Sequence, residues 1–276
     1  MPDRLQSPFV ALKNRPMSDP LWQIIADEAS EAAVRESELS GFFHGALLSH
    51  SSLESALSHM LASLLGNQVV SALTLLRVIE QGFAEAPEIG ERMRRDLMAH
   101  YDRDPACNQH YIPLLYFKGF HALESYRIAH WLWQSGRTSM ALYLQSRISE
   151  IFAVDIHPAA RIGGGLMIDH ATGIVIGETA VVGNNVSMLH TVTLGGTGHS
   201  CGDRHPKIGD GVLISAGAKI LGNIHIGEGA KIGAGSLVLE AVEPHTTVAG
   251  VPAKVVGAKL KTMPSLDMDQ SLREDN

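Results

Sequence analysis

Aliphatic residues recur every six positions through the second half of the chain. Thirteen of them keep step in three runs, with a two-residue slip after the first run and a longer interruption after the second. A repeat this short is typical of a parallel β-helix, because each six-residue unit supplies one short strand and one turn, and three units make one triangular coil of about 18 residues. Residues 156–253 therefore predict about five coils. The thirteen positions are Ile156, Ile162, Ile168, Ile176, Val182, Met188, Leu194, Ile208, Ile214, Ile220, Ile226, Ile232 and Val238.

The first half of the chain has a different period. Between residues 18 and 152, apolar residues recur three and four positions apart, which predicts amphipathic helices. The sequence Ser18-Asp19-Pro20 is typical of a helix start, since a capping side chain precedes a proline in the first turn. One apolar stripe of this kind consists of Leu53, Leu57, Met60, Leu61, Leu64 and Leu65.

These two periods predict an α+β protein with two domains. An α-helical domain (18–152) comes first, and a parallel β-helix domain (153–257) follows it. Residues 1–17 contain three prolines and no clear period, so we expect a loose N-terminal arm. The polar segment 258–276 predicts a flexible C-terminal tail.

Composition and charge exclude several classes of function. The net charge is −7 and the isoelectric point is about 6.0, which argues against a nucleic-acid-binding protein. No apolar run is long enough for a membrane span, and the first residues lack the pattern of a signal peptide. The two cysteines, Cys107 and Cys201, form no C-x-x-C pair, so we expect neither a disulfide framework nor a cysteine metal site. These features favour a cytoplasmic protein without membrane contact.

The segment that interrupts the repeat contains polar and charged residues. It reads LGGTGHSCGDRHPKIG over residues 194–209, with glycines followed by Asp203, Arg204 and His205. Glycines allow a chain to turn out and back, and functional residues often lie on such loops. We therefore predict an arm, residues 195–207, that leaves the β-helix and returns to it.

Longer motifs resemble the serine acetyltransferase family, a group of hexapeptide-repeat acyltransferases. The resemblance extends from about residue 20 to 257. It is carried by RDPA (103–106), KGFHALESYR (118–127), VDIHPAARIG (154–163), DHATGIVIGETAVVG (169–183), VTLGGTGHSCGDRHPKIG (192–209) and HTTVAGVPAKVVG (245–257). It implies that the β-helix is left-handed, that the protein forms homotrimers with active sites between neighbouring prisms, and that two trimers join through their helical domains into a hexamer.

The resemblance also implies a reaction. Acetyl-CoA and L-serine would give O-acetyl-L-serine and CoA, the first step of cysteine biosynthesis from serine, with feedback inhibition by L-cysteine. Acetyl-CoA would be a co-substrate, and no cofactor or metal would be bound permanently.

A serine hydroxyl needs a base to attack a thioester at neutral pH. His170 lies in DHATG, at the two-residue slip of the repeat, and the family match makes it the general base. Asp155 precedes His170 by slightly less than one predicted coil. That spacing predicts a carboxylate against the imidazole, where it would hold one tautomer and stabilise the imidazolium.

The zwitterionic substrate needs groups of both charges. Asp104 and Asp169 match the acids that bind the amino group in this family, and Arg204 and His205 match its carboxylate-binding pair. We expect CoA along an edge of the prism, where backbone beside small side chains can meet the pantetheine amides and lysines can meet the phosphates. The candidates are Gly196, Thr197, Ala216 and Ala234 for the backbone contacts, and Lys231 and Lys254 for the phosphates.

One feature departs from the family pattern. Members that bind O-acetylserine sulfhydrylase commonly end in isoleucine, whereas this sequence ends at Asn276. In that complex the terminal isoleucine fills an apolar slot, which a polar asparagine would not fill. We therefore do not expect this chain to form the complex.

Three alternatives share part of this pattern. One is an acetyltransferase with another hydroxyl acceptor, such as homoserine or a sugar. A second is a zinc-dependent β-helix hydratase, for which His170, His190 and His205 would be the candidate ligands between subunits. A third is a non-catalytic scaffold. The first would not need Asp104, Asp169 and Arg204 together, the second leaves Arg204 without a role, and the third leaves the intact DHATG unexplained.

Overall fold

The computed structural model of the chain describes residues 19–198 and 201–272. The predicted N-terminal arm (1–17) and the terminal residue Asn276 lie outside the described residues. Helices form the first half, with a 3₁₀ turn (Ser37–Leu39) and a π-helical segment (His44–Leu48) among them, and a short helix follows the β-helix. They are α1 (Pro20–Arg35), α2 (Ser40–Phe43), α3 (Leu53–Leu65), α4 (Ala72–Glu85), α5 (Glu88–Arg103), α6 (Tyr111–Tyr116), α7 (Lys118–Gln134), α8 (Thr138–Phe152) and α9 (Pro264–Asp267).

The first helix begins where the sequence indicates. The Asp19 carboxylate accepts the Leu21 N–H at 3.1 Å, and Pro20 occupies the first turn, where its missing N–H costs nothing. The same carboxylate lies 2.6 Å from Arg94 of α5. The cap therefore also ties the first helix to the middle of the helical domain.

Fifteen short strands follow within the described residues and form the three faces of a triangular prism. Face A contains β1, β4, β7, β10 and β13; face B contains β2, β5, β8 and β11; face C contains β3, β6, β9, β12, β14 and β15. All strand pairs are parallel except β14 with β15. The strands are β1 (Val154–Ile156), β2 (Arg161–Ile162), β3 (Met167–Ile168), β4 (Ile174–Ile176), β5 (Val181–Val182), β6 (Ser187–Met188), β7 (Thr193–Gly195), β8 (Lys207–Ile208), β9 (Leu213–Ile214), β10 (Lys219–Leu221), β11 (His225–Ile226), β12 (Lys231–Ile232), β13 (Leu237–Val238), β14 (Thr247–Gly250) and β15 (Ala253–Val255).

The six-residue repeat fills the interior of this prism. All thirteen aliphatic side chains point inward, and none is more than 5% exposed. Each lies on its counterpart in the next coil, as Ile156 does on Ile176 and Ile176 on Leu194. Leu194 pairs with Ile220 across the interruption, so the arm adds residues to one coil without breaking the stack. The α+β class and the β-helix predicted from the period are thereby confirmed.

The helical domain covers the first coil of the prism. Helix α8 leads directly into β1 through Ala153, while α5 and α7 contact β3. The Tyr126 hydroxyl of α7 donates to the carbonyl of Ala160, and both groups are buried. The end of β3 that leads to residue 170 therefore lies directly against helices.

The described part of the predicted C-terminal tail contacts the prism. Residues 258–272 turn back onto the prism, where Ser187 donates to the carbonyl of Ser265 at 2.9 Å and Pro264 is buried. Met263 lies over Gly211, where a Cβ would come within 2.4 Å of its sulfur. Apolar and hydrogen-bonded contacts of this kind hold the segment, although its composition is polar.

No helix within residues 19–198 or 201–272 is both long and apolar enough to cross a bilayer.

Candidate active site

The predicted base lies at a corner of the prism. Residues 169–173 connect β3 on face C to β4 on face A, and we call this edge of the prism, with the connections stacked above it, the base corner. His170 and Ala171 both have a left-handed backbone, with φ of 55° and 58°, which non-glycine residues adopt infrequently. The tight turn pushes the His170 side chain outward, and 72% of it is exposed. An imidazole held in this way is open to a substrate.

Two polar side chains lie beside this imidazole. The Asp169 carboxylate is 3.6 Å from Nε2 of His170, and the Asp169 side chain is 25% exposed. The His190 ring occupies the same corner in the next coil, with its centroid 5.8 Å from that of His170. The structure therefore brings together Asp169 and His170, two of the predicted site residues, on one chain.

Asp155 has a different neighbour from the one that its spacing predicts. It lies on β1 in register with Val175 of the next coil, because the slip lengthens the first coil. Its Oδ1 accepts a hydrogen bond from Nε2 of Gln145 at 2.7 Å. Among the described residues of one chain, no hydrogen bond joins Asp155 to His170, so that pairing stays a prediction.

The arm returns to a second corner, between face A and face B. We call this edge the arm corner; it contains residues 177–180 and the arm itself. Arg204 donates to the Glu178 carboxylate at 2.6 Å, and the backbone N–H groups of Arg204 and His205 both donate to Oγ1 of Thr179. Glu178 and Thr179 thus fix the end of the arm. This role was not predicted from the sequence, although both residues lie in the motif GETAVVG (177–183).

The protonation state of His205 follows from its contacts. The Thr179 N–H donates to Nδ1 at 3.2 Å, so Nδ1 carries no proton and the neutral ring is protonated at Nε2. Burial lowers the pKa of His205, and the neighbouring Arg204 and Lys207 lower it further. The hydrogen bond from Arg204 lowers the pKa of Glu178. The arm corner therefore holds a neutral imidazole beside an ionised arginine–glutamate pair.

His170 and Arg204 lie at different corners of one prism. The base corner joins faces C and A, whereas the arm corner joins faces A and B. Groups on separate edges of a filled prism do not meet within the same chain. A site that contains both needs the arm corner of one chain against the base corner of another.

Asp104 lies in the connection between α5 and α6 of the helical domain. It follows the last residue of α5, and its Oδ1 accepts the Ala106 N–H at 2.8 Å. Arg103, the residue before it, donates to Oγ of Ser187 on face C at 3.1 Å. This contact places the half-buried Asp104 beside the prism rather than in a distant loop.

The predicted CoA contacts fall on both corners. Ala216 and Ala234 lie in successive coils above His190 at the base corner, where the Gly217 N–H donates to the His190 carbonyl at 3.0 Å and the Gly235 N–H to the Ala216 carbonyl at 2.8 Å. Gly196 and Thr197 begin the arm at the other corner.

The two predicted phosphate contacts differ in exposure. Lys254 is exposed on β15. Lys231 is only 3% exposed, and its Nζ lies 3.2 Å from the Asp269 carboxylate of the tail segment.

The described residues 19–198 and 201–272 contain no group of three His, Cys, Asp or Glu side chains that could hold a metal ion. Of the three histidines considered for zinc, His170 and His190 share the base corner, whereas His205 lies at the arm corner. Within one chain the three rings are therefore not a compact set of ligands, and a zinc site between subunits stays an alternative.

Comparisons with known proteins agree with this geometry. The family model "Serine acetyltransferase, N-terminal" matches residues 21–125, and the model "Bacterial transferase hexapeptide (six repeats)" matches residues 205–240. The serine acetyltransferase of Escherichia coli strain K12 is 56% identical over 250 residues, which covers 91% of this chain and 92% of that relative. The chain belongs to the serine acetyltransferase family. It is therefore an acyltransferase by family, and its prism is the left-handed β-helix of hexapeptide repeats.

Solved structures of serine acetyltransferases share the whole fold. The protein from Vibrio cholerae O1 biovar El Tor N16961 has a TM-score of 0.90 and 58% identity, and the match covers 91% of this chain and 97% of that one.

Three further members of the serine acetyltransferase family were solved with ligands. One is a complex with cysteine (TM-score 0.89, 52% identity, 91% of this chain and 98% of that one). The Neisseria gonorrhoeae protein is in complex with serine (TM-score 0.83, 53% identity, 88% of this chain and 100% of that one). The Brucella abortus strain S19 protein is in complex with coenzyme A (TM-score 0.85, 54% identity, 87% of this chain and 96% of that one).

Proposed function

We propose that this protein transfers the acetyl group of acetyl-CoA to the hydroxyl of L-serine, which gives O-acetyl-L-serine and CoA. The observation that carries the proposal is the exposed imidazole of His170, which a left-handed turn presents beside the Asp169 carboxylate. The relatives solved with serine and with coenzyme A support the choice of substrates. The reaction would be the first step of cysteine synthesis from serine in the cytoplasm.

The chemistry follows from the imidazole. Neutral His170 removes the hydroxyl proton while the serine oxygen attacks the thioester carbonyl, so the C–O bond forms and the C–S bond breaks. The imidazolium then returns its proton to the CoA thiolate. Attack is direct, without an acyl-enzyme. Asp155 would hold the imidazole tautomer, for which its carboxylate would have to turn from Gln145 to His170.

The substrate would be held by two chains. Asp104 and Asp169 of one chain bind the serine ammonium, and Arg204 and His205 of the next bind its carboxylate. A neutral His205 with its proton on Nε2 can donate to that carboxylate. Because the two sets lie at different corners, the proposal requires a cyclic assembly, in which each arm corner meets the base corner of a neighbour.

We infer a homotrimer from this arrangement, and a hexamer formed by two trimers through their helical domains. Exposed apolar side chains on that domain support the second contact, since large apolar patches mark interaction surfaces. They include Phe42, Leu64, Tyr116 and Ile151.

CoA would lie along the base corner. The small side chains of Ala216 and Ala234 leave backbone accessible there, and Gly196 and Thr197 would come from the arm corner of the neighbour. Lys254 is the proposed phosphate contact. The tail segment that carries Asp269 would have to leave Lys231 before this lysine could bind a phosphate.

L-Cysteine should compete with L-serine for the same groups. It differs from serine by a sulfur atom in place of the oxygen, so the ammonium and carboxylate contacts are retained. The relative solved with cysteine supports this inhibition. An inhibition pattern that is competitive against serine would agree with the shared pocket.

The function is tested by thiol release from acetyl-CoA with a panel of acceptors. L-Serine should give the highest kcat/KM, and homoserine, threonine and sugars should give little release. Homoserine or a sugar as the preferred acceptor would contradict the proposed substrate. Activity that a chelator abolishes and zinc restores would contradict the metal-free mechanism.

Replacement of Arg204 by alanine should chiefly weaken serine binding. The loss of one charge-assisted hydrogen bond predicts an increase in the serine KM of about 10- to 100-fold. The KM for acetyl-CoA should stay within about twofold, because alanine keeps the backbone N–H groups of residues 204 and 205 that bind Oγ1 of Thr179 and hold the arm. Steady-state kinetics against each substrate measure both values.

Arg77→Ala is a matched control for this variant. Arg77 is an exposed arginine on α4, in the helical domain, and its removal should change neither KM. An effect of Arg204→Ala that is confined to acetyl-CoA would contradict the assignment.

A further inference from the structure

The strand that leads into His170 is the edge strand of its face. Face C begins with β3, and no coil precedes it in the part of the chain that the structure describes. On the side that faces the next coil, the Met167 N–H donates to the Val186 carbonyl at 3.1 Å and the Asp169 N–H to the Met188 carbonyl at 2.9 Å. The N–H groups of Leu166 and Ile168 point the other way, where a further coil would otherwise supply acceptors. An edge of this kind has to be covered if its buried N–H groups are to be paired.

Helix α5 supplies the missing acceptors. Oδ1 of Asp96 accepts the Leu166 N–H at 2.7 Å, and Nε2 of His100 accepts the Ile168 N–H at 3.4 Å. The spacings match, because four residues of a helix rise about 6 Å and two residues of a strand about 6.6 Å. Two side chains on one helix face thus take the place of a coil.

Both acceptors are fixed in buried surroundings. Nδ1 of His100 lies 2.8 Å from the Asp96 carbonyl, which can only accept, so Nδ1 carries the proton and Nε2 is free to accept. His100 is 1% exposed, and burial lowers its pKa, which keeps the ring neutral. Arg127 of α7 donates to Oδ2 of Asp96 at 2.9 Å and also to the carbonyl of Gly163 at 2.8 Å.

Helix α7 holds the same segment from a second direction. Gly119 lies so close to the Ile168 carbonyl that a Cβ there would come within 2.1 Å of the oxygen. Lys118 donates to Oγ1 of Thr172, two residues after His170. The chain on both sides of the imidazole is therefore fixed by groups of the helical domain.

We propose that Asp96 and His100 are positioning residues for the base, because they set the place of β3 and with it the turn that presents His170. The His170 side chain is largely exposed, so its position depends on the backbone that carries it. This proposal rests on the acetyl transfer proposed above. It assigns the helical domain a part in the reaction beyond assembly and beyond Asp104.

The test compares two buried histidines. His100→Phe keeps a ring of similar size but removes the acceptor for Ile168. His121→Phe is the matched control: His121 of α7 is also buried, but its Nε2 donates to the Leu114 carbonyl, within the helical domain. We expect His100→Phe to lower kcat by about 10- to 100-fold, as a small displacement of a catalytic group does. The KM for acetyl-CoA should stay within about twofold, whereas the serine KM should rise as well, because the same turn carries Asp169. His121→Phe should keep the kcat of the wild type.

His100→Gln and His100→Asn supply the second comparison. The glutamine amide oxygen can reach the Ile168 N–H, whereas the asparagine side chain is too short. Glutamine should therefore restore most of kcat, while asparagine should leave it about tenfold lower. This pair decides the matter even if His100→Phe does not fold.

Three results would overturn the positioning role. They are equal kcat values for His100→Phe and His121→Phe, equal values for the glutamine and asparagine variants, or a loss that lies in KM alone. A wild-type protein without serine-dependent thiol release would instead refute the proposed function, so the two failures are distinguishable.

Discussion

His170→Ala should lower kcat by about two to four orders of magnitude, as expected when a general base is removed. The side chain is exposed and makes no hydrogen bond that holds the fold together within the described residues, so the assembly should stay intact. Serine-dependent thiol release measures kcat, and size-exclusion chromatography measures assembly.

A second variant distinguishes loss of the base from a disturbance of the turn that carries it, and a third is a control. His170→Asn should lose as much activity as His170→Ala, although asparagine tolerates the left-handed backbone of this position better than alanine does. His225→Ala, which removes an exposed histidine on face B, should keep the activity of the wild type. Near-normal turnover of both His170 variants would reject the assignment of the base.

Trimers that mix His170→Ala chains with Arg204→Ala chains should regain about a third of the wild-type activity at low serine concentration. In every mixed cyclic trimer, whichever variant supplies two chains, an intact arm corner meets an intact base corner at one of the three interfaces, which is about a third of the sites. Each variant alone is defective at every interface under these conditions. Co-expression with two different tags, followed by two affinity steps, isolates the mixed assemblies for the assay.

Mixtures of the wild type with His170→Ala are the control for assembly, and their activity should fall in proportion to the share of the variant. Activity equal to the mean of the two parents in the doubly mutated mixture would show that His170 and Arg204 act within one chain. That result would contradict the site between chains, because the two corners of one prism are separate.

Much of the fold could be predicted from local pattern. The six-residue period identified the inward positions, and all thirteen are buried. The capping sequence identified the start of α1. Both signals are local, since each depends on residues within a few positions of one another.

The candidate site was predictable only in part. The motif resemblance named His170, Asp169 and Arg204, but it did not show that Glu178 and Thr179 hold the returning arm. A lysine is expected at the surface from its residue type, whereas Lys231 is buried under the tail segment. Such contacts join residues far apart in the chain, and no local period encodes them.

The sequence by itself determined the stacked prism, the helices before it, the family and the residue types that the chemistry needs. Only the tertiary structure decided which corner each group occupies, where the tail segment lies and how α5 completes the edge of β3. The reason is physical. The aliphatic repeat follows from burial within each successive coil, whereas the place of the imidazole depends on how a separate helical domain docks on the first coil.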